Sequence, residues 1–281
     1  ARRDPGGAAG LTGPWNFPRL SPTWKAAPAR ACGTPVVVKP ASLTPIRALM
    51  LADVLLDAGV PPACVSVLPG PGSTLGNRLV ADARVNKISF TGDSSTGAQI
   101  MRTCADNITR VSLELGGKSA CIVFDDADLE AAIAATPMSV FDNTGQDCCA
   151  RSRFIVHRSV YDDFVAGFVA GTQRLVVGDP LDEATQLGPM ISEGQRRTSL
   201  EYLEVASAEG ARRLCGGDAT GPGWYLSPAV LADVDNSMRV AQEEIFGPVA
   251  SIIPFDDEAD AIRIAHDSPY GLAGSLWPDD R

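Results

Sequence analysis

Residues 36–45 read Val-Val-Val-Lys-Pro-Ala-Ser-Leu-Thr-Pro, and this stretch decides the fold class. An uninterrupted β-branched run such as Val36-Val37-Val38 is typical of a strand that is buried on both faces of a parallel sheet. Thr44 and Pro45 then supply an N-cap and a first helical residue, and Gly59 marks the end of the helix. The stretch therefore predicts a strand that is followed directly by a helix.

The same alternation continues along the chain. Strands are predicted at residues 65–68, 87–90 and 110–115, and helices at 75–83 and 93–104. Such alternation is typical of a parallel, doubly wound sheet, whose ligands lie at the carboxyl ends of the strands. After a predicted hinge at residues 116–118, it resumes with a strand at 121–124. The chain is therefore predicted to be α/β, with a doubly wound parallel-sheet domain at residues 1–117 and a second α/β domain at residues 118–281.

The first 35 residues differ in composition, because they are rich in Gly, Pro, Arg and Ala. Within them, Pro14 and Pro18 fix the backbone on either side of Trp15, Asn16 and Phe17. One interpretation is a surface loop with the two aromatic side chains packed inward. The other makes Asn16 a rigidly held hydrogen-bond donor.

Composition limits the classes of partner. The 281 residues include 24 basic and 34 acidic side chains, a net charge of −10, so no basic face for nucleic acid or an anionic membrane is expected. The seven cysteines are an odd number without CxxC spacing, which argues against a disulfide scaffold and structural zinc. No apolar run has transmembrane length and no signal peptide is recognisable, so a cytoplasmic location is the default expectation. We expect a small-molecule partner and no metal.

A candidate nucleophile lies in the stretch from Thr144 to Arg153. Gly145 and Ala150 allow close approach of the backbone, so Cys148 can lie at the mouth of a cleft. A free thiol, with a pKa of about 8.5, is activated by a modest positive field. Without further support a buried cysteine is more often a small apolar residue.

A candidate phosphate site lies at residues 90–97, Phe-Thr-Gly-Asp-Ser-Ser-Thr-Gly. The pattern predicts a strand, a tight turn and a helix whose free N–H groups and dipole favour an anion. The alternative is ordinary helix capping by Asp93 or Ser94. Gly70, Gly72 and Gly76 miss the dinucleotide fingerprint by one residue and are interpreted as turn glycines.

Six motifs in one order carry a family resemblance. They are Pro14-Trp15-Asn16-Phe17-Pro18, Lys39-Pro40-Ala41, Phe90-Thr91-Gly92, Glu114-Leu115-Gly116-Gly117-Lys118-Ser119, Gly145-Gln146-Asp147-Cys148 and Glu243-Glu244-Ile245-Phe246-Gly247-Pro248. With them the chain resembles the aldehyde dehydrogenase superfamily. The resemblance covers essentially the whole chain, but the chain corresponds to the middle, and to somewhat more than half, of a typical member.

The resemblance implies a reaction and its catalytic residues. Cys148 would attack an aldehyde carbon, and the Asn16 amide and the Cys148 N–H would hold the oxyanion. Hydride would pass to NAD or NADP, and Glu114 would deprotonate the water that hydrolyses the thioester. Residues 1–117 would then be a partial cofactor-binding domain and residues 118–281 a partial catalytic domain. Full-length relatives are expected to be homo-oligomers.

The resemblance also implies cofactor contacts. The implied residues are Lys39 at the adenosine ribose, the helix start with Gly92, Asp93 and Gly97 at the pyrophosphate, Glu244 at the nicotinamide ribose, and Phe246 near the nicotinamide ring. Ser42 occupies a position where many NAD-preferring relatives carry a glutamate, so we expect NADP to be tolerated.

Two acidic residues depart from the commonest pattern of the family. Asp93 would repel a pyrophosphate unless it caps the helix and faces away. Asp147 would raise the pKa of the neighbouring Cys148 thiol unless Arg151 or Arg153 offsets its charge. A preference for a cationic aldehyde is another interpretation of Asp147.

Three functions remain open from the sequence. The first is hydrolytic oxidation of an aldehyde to a carboxylate. The second is a coenzyme-A-acylating relative, which Glu114 disfavours. The third is a truncated or non-catalytic relative that acts as a binding or structural protein.

Overall fold

The computed structural model describes residues 4–278, and the chain divides into two compact units, residues 1–115 and 116–281. The elements of the first unit are β1 (Ala8–Thr12), α1 (Leu20–Ala31), β2 (Val36–Lys39), α2 (Ile46–Asp57), β3 (Val65–Val67), α3 (Asn77–Ala81), β4 (Val85–Thr91), α4 (Ser94–Ala105) and β5 (Arg110–Glu114). Its five strands form one sheet in the order β3-β2-β1-β4-β5, and every pair is parallel. The predicted parallel α/β sheet is confirmed.

Strand β1 occupies the centre of this sheet, yet the sequence did not indicate it. Its first three residues are small and only Thr12 is β-branched. Gly10 packs closely, because a Cβ there would stand 2.7 Å from Cδ1 of the fully buried Ile88. Helix α1 was missed as well, because Pro22 and Pro28 lie within it. No strand or helix was predicted in residues 1–35, so β1 and α1 are additions to the predicted fold.

Two helix starts also differ from prediction. Helix α2 has Pro45, not Thr44, as its N-cap, and the buried Oγ1 of Thr44 bonds to no other described residue. The helix predicted at residues 75–83 begins earlier, as a π-helical turn at Gly72–Gly76 that continues into α3. Turn and helix hydrogen bonds compete over this glycine-rich segment, so the start could not be read from periodicity.

The second unit has a six-stranded sheet. Its elements are β6 (Ala120–Val123), α5 (Leu129–Phe141), β7 (Arg153–His157), α6 (Tyr161–Gln173), α7 (Glu193–Glu209), β8 (Arg212–Cys215), β9 (Ala219–Thr220), β10 (Tyr225–Leu226), β11 (Ala229–Ala232), α8 (Arg239–Gln242), β12 (Val249–Phe255), α9 (Glu258–His266) and β13 (Gly274–Trp277). The strand order is β13-β6-β7-β12-β11-β8, and only β8 runs antiparallel to its neighbour. Strands β9 and β10 pair separately.

Both faces of this sheet are covered by helices. Along β7, Phe154 and Val156 pack in the core that contains α5 and α6, while Ile155 packs in the core that contains α7, α8 and α9. The rings of Phe154 and Phe168 lie 4.7 Å apart between their centroids. Among the described helices, none combines the length and apolar character needed to cross a membrane.

Candidate active site

The candidate residues of the first unit gather at one edge of its sheet. Lys39 and Glu114 are the last residues of β2 and β5, Asn16 lies in the loop after β1, and Gly92 follows β4. Because all five strands are parallel, these four positions share the carboxyl edge. The chain builds outward from β1 to β2 and β3 and then returns to β4, so β1 and β4 form the switch point at which open α/β sheets bind ligands.

The Asn16 loop is tied to the neighbouring strand. The N–H of Gly13 donates to the carbonyl of Lys39 at 3.1 Å. Trp15 and Phe17 are both half-buried, as is Asn16 between them. The loop therefore has packed aromatic residues and also places an amide side chain at the carboxyl end of the central strand.

Lys25 is a buried cation at this edge that the sequence did not reveal. Its Nζ donates to the carbonyl of Thr12 at 2.7 Å and to Oγ1 of Thr91 at 2.6 Å, so it joins the ends of β1 and β4. Burial lowers its pKa to about 8, although the charge of Glu114 acts in the opposite direction. The lysine was missed together with α1, which carries it.

Lys39 ends β2 and Ser42 follows it, and these are the two positions predicted to contact the adenosine end of a cofactor. The Nζ of Lys39 donates to the carbonyl of Pro40 at 3.0 Å, and burial lowers the pKa of this lysine. Ser42 is exposed, and its hydroxyl donates to the carbonyl of Gly70 at 3.1 Å. A carboxylate at position 42 would therefore project from the surface near the same strand end.

Asp93 caps α4, which is the arrangement that reduces its conflict with a phosphate. Its carboxylate accepts from the Thr96 N–H at 2.9 Å, the Thr96 hydroxyl at 2.7 Å and the Ser95 hydroxyl at 2.6 Å. Burial alone would raise the pKa of Asp93, but these hydrogen bonds outweigh it and lower the pKa. Gly97 brings the helix close to the sheet, since a Cβ there would stand 2.8 Å from Cδ2 of Leu115.

The candidate nucleophile of the second unit lies at the amino edge of its sheet. Cys148 is half-buried in the segment that leads into β7. Before it, a 3-10 turn at Asp142–Gly145 places Asn143, Thr144 and Gly145 at φ values of 51°, 58° and 69°. Positive φ is costly for the two non-glycine residues, so the tertiary contacts of the turn must maintain it.

Gln146 provides part of that support, a role that the motif did not specify. Its Nε2 donates to the carbonyl of Asn143 at 3.0 Å, and its Oε1 accepts from the Ile191 N–H at 2.9 Å. The hydroxyl of Thr144 donates to the carbonyl of Gly188 at 3.0 Å. The available signal was a polar residue two positions before the candidate nucleophile, but its partner Ile191 lies 45 residues away in sequence.

The surroundings of Cys148 are less favourable to a thiolate than expected. Burial, followed by the neighbouring Cys149 and Asp147, raises the pKa of the Cys148 thiol to about 12. Arg151 donates to the carbonyl of Cys149, and Arg153 is occupied elsewhere. The charge of Asp147 therefore raises the thiol pKa, as predicted for a carboxylate that neither arginine offsets.

The same three residues could also hold a cation. The ligand atoms of Asp147, Cys148 and Cys149 all lie within 4.8 Å of one another. A carboxylate and two thiolates at this spacing suit a soft divalent ion.

Glu244 lies against the double-glycine segment. The Gly117 N–H donates to Oε1 of Glu244 at 3.1 Å, and a Cβ on Gly116 would stand 2.1 Å from its Oε2. The neighbouring Glu243 instead pairs with Arg239 at 2.8 Å. Glu244, the glutamate predicted to bind ribose, therefore contacts the segment beside Cys148 through a main-chain hydrogen bond.

Phe246 has a strained backbone, with φ of 57°. Nε2 of Gln195 donates to the carbonyls of Ile245 and Phe246, both at 3.0 Å, and so fixes this turn from α7. Strain in a non-glycine residue next to a candidate binding site is typical of functional segments. Gln195 was not recognised in the sequence.

Comparisons with known proteins agree with the motif pattern. The model of the aldehyde dehydrogenase family matches residues 1–281. Betaine aldehyde dehydrogenase of Cereibacter sphaeroides is 43% identical over 279 residues, which are 99% of this chain and 58% of that protein. Geranial dehydrogenase of Castellaniella defragrans is 45% identical over 281 residues, again covering 58% of that protein.

A solved structure is similar over the whole fold. The structure of betaine aldehyde dehydrogenase from Staphylococcus aureus in complex with NAD+ has a TM-score of 0.96 and 37% identity, with coverage of 98% of this chain and 56% of that one. The chain thus spans somewhat more than half the length of the relatives that it matches. The expected family and α/β fold are confirmed.

Proposed function

Since the chain belongs to the aldehyde dehydrogenase family, we propose that it oxidises an aldehyde to a carboxylate with NAD or NADP. The observation that carries this proposal is the placement of Cys148. Its turn is held in positive φ by Gln146 and Thr144, and the turn adjoins the segment that carries Glu244. Such preorganisation is what a thiol nucleophile requires.

The first unit fits a dinucleotide. Its parallel sheet has the switch point of dinucleotide-binding folds, and α4 starts there with Gly92 and its capping residue Asp93. Lys39 and Ser42 would hold the adenosine ribose, and Gly97 lets the phosphate-binding helix pack closely. Glu244 and Phe246 would hold the nicotinamide end. A bound nicotinamide supplies the hydride acceptor.

The chain's own residues account for the remaining chemistry. The Cys148 thiol would pass its proton to solvent water as its sulfur bonds to the aldehyde carbon, which gives a thiohemiacetal whose oxyanion accepts from the Asn16 amide and the Cys148 N–H. Each such donor contributes about 3 kcal/mol to stabilising the transition state. After hydride loss the carbon is a thioester. Glu114 then takes a proton from water, hydroxide adds to the thioester, and the carboxylate leaves as the thiol re-forms.

The raised pKa of Cys148 adds a requirement to this proposal. Since the resting sulfur is protonated, its proton must move to a base when substrate and cofactor bind, or their binding must lower the pKa. Solvent water would be that base, because Glu114 is assigned to the later hydrolysis of the thioester. A thiol that ionises only in the loaded enzyme would be protected from oxidation at rest.

The proposal is tested by aldehyde-dependent formation of NAD(P)H. The purified protein would be given an uncharged aldehyde and a quaternary-ammonium aldehyde of similar size, with NAD and NADP in turn. Cys148→Ala is expected to abolish turnover, and the adjacent Cys149→Ala is the matched control that should retain most of it. Equal loss in both variants would contradict the assignment of the nucleophile. Added coenzyme A should not accelerate the reaction, because Glu114 directs hydrolysis.

A further inference from the structure

The double-glycine loop, residues 116–118, contacts two proposed functional groups of the second unit through its main chain. The Gly117 N–H donates to Glu244, and a Cβ on Gly117 would stand 2.4 Å from the carbonyl oxygen of Cys148. A Cβ on Gly116 would collide with the Glu244 carboxylate. A displacement of this loop would therefore disturb the carboxylate and the nucleophile together.

Arg153 holds this loop from the interior. It is only 1% exposed, and its Nε donates to the carbonyl of Lys118 at 3.0 Å. Its two terminal nitrogens donate to Oδ1 of Asn236 at 2.8 Å and to the carbonyls of Ile264 and Ala265 at 3.0 and 2.9 Å. One guanidinium thus joins the loop to the last turn of α9, where free carbonyls favour a cation.

A buried arginine is a costly way to achieve stability alone. Removing a guanidinium from water carries a large penalty, and a well-packed apolar residue is often as stabilising. What the guanidinium provides is geometry, because its donors form a rigid fork that can satisfy several carbonyls in fixed directions. A lysine at the same position could not reproduce the four observed contacts from one nitrogen.

We propose that Arg153 is a positioning residue, which fixes the double-glycine loop so that Glu244 and Cys148 keep the placement needed for the nicotinamide end of the cofactor. The inference rests on the proposed function, because that function assigns the roles of Glu244 and Cys148. Under the same proposed function, the adenosine end binds to residues of the first unit, which are not part of this loop.

Arg153→Lys tests the proposal, with Tyr161→Phe as the control. Tyr161 is another buried polar link of the same sheet: its hydroxyl donates to the carbonyl of Ile252 and accepts from the Asp233 N–H at 2.9 Å. Dissociation constants for NAD and for adenosine diphosphate would be measured by titration on each folded protein, together with melting temperatures. We expect Arg153→Lys to weaken NAD binding about tenfold, in line with one perturbed hydrogen bond to a charged group. Adenosine diphosphate binding should be unchanged.

Tyr161→Phe should lower the melting temperature without changing either dissociation constant. If Arg153→Lys behaves like this control, or weakens both ligands equally, the positioning role is wrong and the arginine is only structural. If the unsubstituted protein does not bind NAD, the proposed function fails instead. If Arg153→Lys does not fold, Asn236→Ala is tested in its place, because this change removes one acceptor of the same guanidinium. Asn236→Ala must then weaken NAD binding while adenosine diphosphate binding is unchanged.

Discussion

Gly145 and Gly247 are in direct main-chain contact, since a Cβ on Gly145 would stand 2.2 Å from the carbonyl oxygen of Gly247. This contact joins the turn before Cys148 to the segment that carries Glu244 and Phe246. Gly145 also has φ of 69°, so both its conformation and its surroundings exclude a side chain.

Gly145→Ala should therefore destabilise the protein and impair the site. Strain of this kind costs about 1–3 kcal/mol, and the collision with Gly247 adds to it. Gly194→Ala is the control, because a Cβ there meets only Oγ of Ser192 at 3.8 Å and lies within helix α7. Urea unfolding would compare the two. A Gly145→Ala protein as stable as the control would show that the turn can relax.

Glu114→Gln should slow hydrolysis of the thioester more than its formation. An amide cannot accept a proton from water, and a general base contributes about 10² to 10⁴-fold to a rate. A single-turnover burst of NAD(P)H should survive while steady-state turnover falls. Glu201→Gln, on the exposed surface of α7, is the control. Loss of the burst in Glu114→Gln would instead indicate that this carboxylate deprotonates Cys148.

Asp147→Asn should make Cys148 more reactive in the resting protein. The Asp147 charge helps to raise the pKa of the thiol, and asparagine removes the charge while keeping the oxygen that accepts from the Cys149 N–H. Alkylation of Cys148 by iodoacetamide at neutral pH is expected to accelerate about tenfold or more, because only the thiolate reacts. Mass spectrometry would locate the label. An unchanged rate would assign the raised pKa to burial and to Cys149 instead of Asp147.

Ser42→Glu should shift cofactor preference toward NAD. A carboxylate at this exposed position accepts a hydrogen bond from an adenosine 2′-hydroxyl, which favours NAD, and repels a 2′-phosphate, which disfavours NADP. The ratio of kcat/KM for NADP to that for NAD should fall by about tenfold or more. Ser42→Gln keeps the size without the charge and should have a smaller effect. Identical ratios in all three proteins would place cofactor selection elsewhere.

Lys118→Met should stabilise the fold at neutral pH. The Lys118 ammonium is buried without a hydrogen-bond partner among the described residues, an arrangement that costs about 1–3 kcal/mol. Burial lowers the pKa of Lys118 in the folded protein from 10.5 to about 7. Between these two pH values the unfolded chain holds a proton that the folded chain has lost, so the free energy of unfolding rises with pH. Lys118→Met should lose this rise. Arg197→Met, at an exposed ion pair on α7, should keep it.

The sequence predicted elements where the buried residues are large and β-branched. Strand β2 was predicted from the run Val36-Val37-Val38, because such runs leave few alternatives. Strand β1 was missed because it consists mainly of small residues, which pack between larger residues of the neighbouring strands. The large side chain that packs against Gly10 belongs to Ile88 in β4, so the sequence of β1 alone does not show this contact.

Motifs located the candidate site, but not its electrostatics. Arg153 lies close to Cys148 in sequence and was a reasonable source of positive charge. Its partners Asn236 and Ala265 are 83 and 112 residues away, and they draw the guanidinium into the interior. Whether an arginine offsets the charge of Asp147 therefore depends on contacts that are distant in sequence, and the motif does not contain that information.

The site of the second unit lies where strands begin, and this limits how it can evolve. Cys148 is followed after a few residues by β7, and Glu244 is followed similarly by β12, whose register buries residues on both faces. An insertion between Cys148 and β7, or between Glu244 and β12, would either displace the site residue or shift the register of the strand. A shift of one residue would turn each buried side chain to the opposite face of the sheet. New substrate ranges should therefore arise at this edge by exchange of side chains, while changes of loop length remain restricted to other parts of the fold.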